Sequence, residues 1–130
     1  MPDAMRIPII KLYDSLIVSV QVSLSDRLVA ELRDDITDAI GRTHARGLII
    51  DISGIDLVDS YISRAIHDIA FIAGLMGVRT VISGMAPMIA MTIVEMGIEL
   101  KGVEAALNLE AAVEMLAAPS SLRRLRPGAQ

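Results

Sequence analysis

The side chains with chemistry to offer are few: two histidines, sixteen Asp and Glu, scattered serines and no cysteine. The lack of cysteine excludes disulfides, thiol nucleophiles and cysteine-ligated zinc. His44 and His67 fall on different predicted helices, and no close carboxylate pair recurs at ligand spacing. A metal site is therefore not expected, and both histidines read as structural or surface residues. Ser60, His67 and several aspartates lie close in sequence and invite a nucleophile–base–acid reading. On one helix, however, their seven-residue separation is about 10.5 Å of rise, whereas a nucleophile and its base need about 3 Å. There is no Gly-x-Ser-x-Gly elbow. There is no glycine-rich phosphate loop either, because Ser83-Gly84 and Gly74-x-x-Gly77 read as a turn and a helix stop. Neither an enzymatic activity nor a cofactor is expected.

Two positions survive this screen. Asp51 ends a buried apolar run, at the strand end where α/β folds place their sites. A receiver-like domain would carry its phospho-aspartate there. It would also want a pair of acids after the first strand, where this chain offers only Asp14, and would need Lys101 and Thr80 or Ser83 in the remaining roles. The plainer reading of Asp51 is a loop-capping carboxylate. The second position is Ser60, which follows the acidic segment Ile55-Asp56-Leu57-Val58-Asp59 at a predicted helix start. Ser60 or Asp59 serves there as N-cap. A helix start also accommodates a phosphate, through free N–H groups and the positive end of the dipole, so a serine there can become phosphoserine without unfolding the helix. Ser63, one turn on, reads as an ordinary helix residue, with minor phosphorylation as the alternative.

The elements that position these residues follow from periodicity. Ile7–Tyr13 and Leu16–Val20 are β-type runs joined at Asp14-Ser15, a hairpin, with Pro8 confined to an edge or strand start. Ser23-Leu24-Ser25-Asp26 has the form of a capping box. The helix behind it carries Leu28, Leu32, Ile36 and Ile40 on one stripe, with an Asp38–Arg42 pair outside and Gly41 and Gly47 bracketing its end. Gly47–Ile52 and Val78–Ile82 are unbroken apolar runs, the mark of strands buried on both faces. Between them a helix from Ser60 turns Ile62, Ile66, Ile69, Ala73 and Met76 inward and stops at Gly77. Pro87 opens a third helix that ends at Gly97, Leu100–Val103 makes a short last strand, and Asn108 caps a helix over Leu109–Leu116. The order β-β-α-β-α-β-α-β-α gives an α/β fold whose mixed sheet opens with an antiparallel hairpin and carries about four helices.

Composition sets the remaining bounds. A chain of 130 residues makes one domain. It is 53% hydrophobic but only 2% aromatic, so aliphatic side chains and methionine must fill the core. The net charge of −4, with no basic run inside the body, argues against a nucleic-acid reader. No signal-peptide layout opens the chain. The longest uncharged stretch, between Arg79 and Glu95, is broken by Ser83-Gly84 and Pro87 and falls short of the roughly 20 apolar residues needed to span a bilayer. A soluble cytoplasmic domain is expected, and its apolar excess points to a partner surface and homo-oligomerisation.

The element order and the loop-then-serine segment resemble the STAS domains of bacterial anti-sigma-factor antagonists. Ile7-Pro-Ile-Ile-Lys-Leu-Tyr-Asp-Ser-Leu-Ile-Val-Ser-Val-Gln21, with Asp59-Ser-Tyr-Ile62, Leu75-Met-Gly77 and Glu95-Met-Gly-Ile98, is similar to the RsbS-like branch, small scaffolds of the stressosome, over about residues 5–117. Many STAS antagonists follow the serine with Ser and Gly, whereas Tyr61 and Ile62 follow here, as suits that branch. The resemblance implies a non-catalytic phospho-switch scaffold that co-assembles with an RsbR-like STAS paralogue. It would sequester an RsbT-like serine kinase and release it on phosphorylation of the helix-start serine, with a phosphatase resetting the state. Ser60 occupies the matching position, and Asp56, Asp59 and Tyr61 form the partner surface beside it. The STAS domain is expected over residues 1–118, with 119–130 a flexible arginine-containing tail outside the resemblance. The rivals are a stand-alone anti-sigma-factor antagonist and a receiver-like domain phosphorylated on Asp51.

Overall fold

The structure is a computed structural model and describes residues 7–21, 24–55 and 59–118. Among these, β1 (Ile9–Leu12) and β2 (Ser15–Ser19) form the opening hairpin. Its turn is Tyr13-Asp14, one residue earlier than expected, with Tyr13 in the left-handed region at φ 55°. The Asp14 carbonyl accepts the Arg46 N–H at 2.7 Å, which anchors the turn to the start of the next strand. Helix α1 (Asp26–Thr43) is capped by Ser25, whose Oγ accepts the Leu28 N–H at 3.1 Å, two residues later than the expected Ser23, which lies outside the described residues. The stripe Leu28, Leu32, Ile36 and Ile40 is buried as its period requires. The helix runs through Gly41, and it is His44, at φ 55°, that ends it by donating its N–H to the Ile40 carbonyl.

Then come β3 (Gly47–Asp51), α2 (Ser60–Leu75), β4 (Arg79–Ser83), α3 (Pro87–Glu95), β5 (Val103–Ala106) and α4 (Leu109–Ala117). The sheet order is β1-β2-β3-β4-β5, with β1 antiparallel to β2 and the remaining pairs parallel. β5 begins three residues after the expected Leu100, because Arg79 fixes its register: the guanidinium meets both Glu104 carboxylate oxygens at 3.0 Å.

Every residue of β3 is buried, because helices cover both faces of the central strands. On one face Leu16, Val18, Leu48, Ile50 and Ile82 pack under α1, α2 and α3; on the other Ile17, Ile49 and Val81 meet Ala112 of α4. Each fully buried aliphatic side chain contributes about 1.5–3 kcal/mol relative to exposure. Met76, expected inside, is 42% exposed, because it falls at the C-cap of α2 where the helical stripe has already ended.

One polar atom breaks this core. Thr80, paired in register with Leu48 on the three-helix face, is 2% exposed, and its Oγ1 has no hydrogen-bond partner among the described residues. Thr80→Val keeps the shape and removes the unmet group, so it should raise unfolding free energy by about 1 kcal/mol. Urea denaturation should show a higher midpoint at unchanged slope; an unchanged or lower midpoint would show the hydroxyl to be satisfied.

Candidate functional site

Parallel pairing of β2, β3 and β4 sends their carboxyl ends to one edge of the domain. α1 to α4 each follow a strand in the chain, so their N-termini return to that same edge. Side chains that cap those helices, or that lie just past the strand ends, therefore gather into one polar rim. Asp51 and Ser60 both belong to it.

Asp51 is the last residue of β3 and 7% exposed. Both carboxylate oxygens are occupied: Oδ1 accepts the Ser83 hydroxyl and Oδ2 the Ser53 hydroxyl, each at 2.7 Å. The carboxylate thus ties the end of β4 to Ser53, the second residue of the loop leading to α2. Gly84 makes room for it, since a Cβ there would stand 2.8 Å from Ser53 Cβ and 3.1 Å from Asp51 Oδ1, and the backbone is at φ +74°. Gly54 has the same duty on the other side, where a Cβ would stand 2.8 Å from the Val20 carbonyl oxygen. The receiver arrangement does not assemble around Asp51. Of the expected partners Ser83 does reach Asp51, but Lys101 is exposed and faces Glu99 at 3.2 Å, and Thr80 lies on the apolar three-helix face.

At the start of α2 the two candidate caps separate. Asp59 is the N-cap: its Oδ1 accepts the Ile62 N–H at 2.8 Å. Ser60 is the first helical residue, exposed, and no hydrogen bond joins its hydroxyl to another described residue. Ser63 is the opposite case. It is fully buried, its N–H reaches the Asp59 carbonyl at 3.1 Å and its Oγ donates to the same oxygen at 3.0 Å. Tyr61 is 45% exposed beside Ser60. Asp56 lies outside the described residues.

His67 stacks on Phe71 with ring centroids 6.3 Å apart and faces Asp68 at 3.4 Å, while His44 serves as the αL cap of α1. No group of three or more metal-ligating side chains forms among the described residues. One residue of interest escaped the sequence reading. Arg64 is exposed one turn after Ser60, and no hydrogen bond or ion pair joins it to another described residue. Its signal was the four-residue spacing from the serine.

The STAS domain family matches residues 6–113 of this chain. The chain belongs to the STAS-domain family. A Ser-to-Glu variant of RsbS from Moorella thermoacetica is 33% identical, with 92% of this chain and 99% of that one covered at a TM-score of 0.78. A chain from the solved molecular architecture of the stressosome, a signal integration and transduction hub, is 34% identical, with 91% of this chain and 100% of that one covered at a TM-score of 0.76. The RsbT co-antagonist protein RsbRB of Bacillus subtilis (strain 168) is 33% identical over 75 residues, which is 58% of this chain and 27% of that protein. This chain therefore spans only about a quarter of the whole length of that relative, whereas it spans the RsbS chain almost entirely. Among the described residues no helix is long and apolar enough to cross a membrane.

The division of labour at α2 has a direct consequence. Asp59→Ala should lose about 1 kcal/mol of stability, within the usual range for a lost N-cap. Ser60→Ala should change it by less than about 0.5 kcal/mol, as for a surface substitution. Equal losses in thermal or urea unfolding would put Ser60 back in the capping role.

Proposed function

We propose that this STAS domain is a non-catalytic phospho-switch scaffold of a bacterial stressosome, with Ser60 as the phosphoacceptor. The observation that carries this reading is the hydroxyl of Ser60, exposed at the first position of α2 and free of the capping task that Asp59 performs. It is supported by similarity to RsbS along nearly the whole of both chains. Ser63 does not compete, because its hydroxyl is buried and engaged. Asp51 does not compete either, because both its oxygens are held by serine hydroxyls.

In this reading the unmodified domain holds an RsbT-like serine kinase against the surface around Ser60, Asp59 and Tyr61. Phosphorylation adds about −1.5 to −2 charges at pH 7. They land beside Asp59 on a chain already at −4. Taking a phosphate out of water costs more than a typical contact returns, even beside one cation, so the kinase dissociates. A phosphatase restores the holding state, an RsbR-like STAS paralogue shares the assembly, and the whole operates in the cytoplasm.

Exposed apolar side chains support the assembly. Ile10 and Tyr13 on the edge hairpin are 58% and 82% exposed, and Met88 and Val94 on α3 are 70% and 76% exposed. Sedimentation should report a species larger than 14.0 kDa that co-purifies with the RsbR-like paralogue. A clean monomer at micromolar concentration with no partner recovered would contradict a scaffold.

Incubation with the kinase and ATP, followed by mass spectrometry, should place phosphate on Ser60. Ser60→Ala should bind the kinase and not release it. Ser60→Asp should keep its circular dichroism and melting point within a few degrees while kinase affinity falls at least about tenfold, equivalent to about 1.4 kcal/mol. Stoichiometric phosphate elsewhere, or tighter binding of the modified form, would overturn the reading.

A further inference from the structure

We propose that Arg64 is the built-in counter-charge of the switch: once Ser60 carries phosphate, the Arg64 guanidinium closes onto it and leaves the groove between α1 and α2. The inference rests on Ser60 being the phosphoacceptor. It begins from what the phosphate would meet. At the start of α2 the Asp59 carboxylate takes the Ile62 N–H and the Asp59 carbonyl takes the N–H and the hydroxyl of Ser63, which leaves a phosphate only the N–H groups of Ser60 and Tyr61. A phosphate on the next residue also stands beside the Asp59 carboxylate, so a nearby cation would stabilise it further.

Arg64 is placed to be that cation. Residues four apart on a helix are neighbours, with Cβ atoms about 5–6 Å apart. Helical side chains also lean toward the N-terminus, so a long side chain at position 64 covers the turn that holds Ser60. The guanidinium has no partner among the described residues, so no existing pair must break. Its planar fork fits two phosphate oxygens at once, which an ammonium does not. Two other charged side chains border this hollow, Arg33 of α1, which faces Asp34 at 3.6 Å, and Asp68, which faces His67 at 3.4 Å, and only Arg64 stands four residues from Ser60 on its own helix.

The move would alter the surface as well as its charge. Arg64 now lines a hollow of about 190 Å³ with Val29, Ala30, Arg33, Tyr61 and Asp68. It also borders a second hollow on its other side, with His67, Met96 and Glu99. Drawing Arg64 back over Ser60 withdraws it from both. A partner seated on Tyr61 would lose a cation at the same moment that it meets an anion.

The test installs phosphoserine at position 60 during translation of the full chain, alone and together with Arg64→Gln or Arg64→Lys, and follows each form by phosphorus NMR across pH. A nearby cation stabilises the dianion, so the second phosphate ionisation should lie at least about 0.3 pH unit lower in the native background than in Arg64→Gln. Arg64→Lys should fall between them. The difference should shrink in about 1 M salt, where screening lengths drop to about 3 Å. Glutamine is a good helix former at this exposed position, and circular dichroism of each variant confirms the fold. Superimposable titration curves for the native and Arg64→Gln forms at low salt would overturn the proposal. Because no kinase is needed, the two readings fail separately. Absence of enzymatic phosphorylation would remove Ser60 as the natural acceptor and leave the titration shift in place, whereas equal curves would remove Arg64 and leave Ser60 untouched.

Discussion

The constraint on which the rest of this molecule depends is that β3 has no wet face. All of Gly47–Asp51 is buried, with β2 and β4 on either side and helices above and below. Such a strand can show chemistry only at its ends. At its carboxyl end Asp51 is bound to Ser83 and Ser53, so the exit toward α2 leaves from a fixed point. Since the neighbouring strands run the same way, the starts of the helices share that rim, each with a partial positive charge. The chain meets three of those starts with acceptors, Ser25 at α1, Asp59 at α2 and Asn108 at α4, and α3 begins on Pro87 with no side-chain cap. The candidate site is thus the place where satisfying helix ends and exposing a hydroxyl coincide.

Coverage of the sheet is unequal, and that explains the apolar excess of so small a domain. α4 packs along β3, β4 and β5 and still meets Ile17 of β2, but the same face of the edge strand β1 is left poorly covered. Register places Ile10 beside Ile17 on that face, yet Ile10 is 58% exposed while Ile17 is 8% exposed. An edge strand bearing exposed Ile and Leu is a surface that proteins usually charge, shorten or cover. Here β1 is only four residues long. Its shortness limits uncontrolled strand pairing, while its side chains leave an apolar ledge of the kind an assembly uses.

The elements whose logic is local were legible from the residues. The apolar run of β3, the α1 stripe, Pro87 at the start of α3 and Asn108 as the cap of α4 all sit where period and capping chemistry put them. What was not legible depended on partners distant in sequence or on a choice between equivalent neighbours. Ser23 and Ser25 are alike as caps, and Leu24 does not decide between them. The start of β5 is fixed by Arg79 gripping Glu104 across 25 residues, which no window centred on Leu100 contains. Gly41 looked like a helix stop, but one more turn buries Ala45 and brings Arg46 to the Asp14 carbonyl. At the candidate site the residue types leave the capping roles of Asp59 and Ser60 open, because each can cap, and the geometry gives the cap to Asp59. The burial of Ser63 needed the packing of α2 against the sheet.

The resolved roles matter to how a switch could work at all. A serine that capped α2 would give up its hydroxyl lone pairs to a backbone N–H, and esterification would disturb a bond worth about 0.5–2 kcal/mol. Modification would then be coupled to fraying of the first turn, where Ile62 and Ser63 enter the core. With Asp59 as cap, the first turn is held by a group that phosphorylation does not touch. The hydroxyl of Ser60, one residue later, carries no structural duty that the described residues reveal. A charge placed on it acts outward, on whatever lies against Tyr61 and Asp59, while the burial of α2 continues unchanged. Separating the cap from the acceptor by one residue therefore separates stability from signalling.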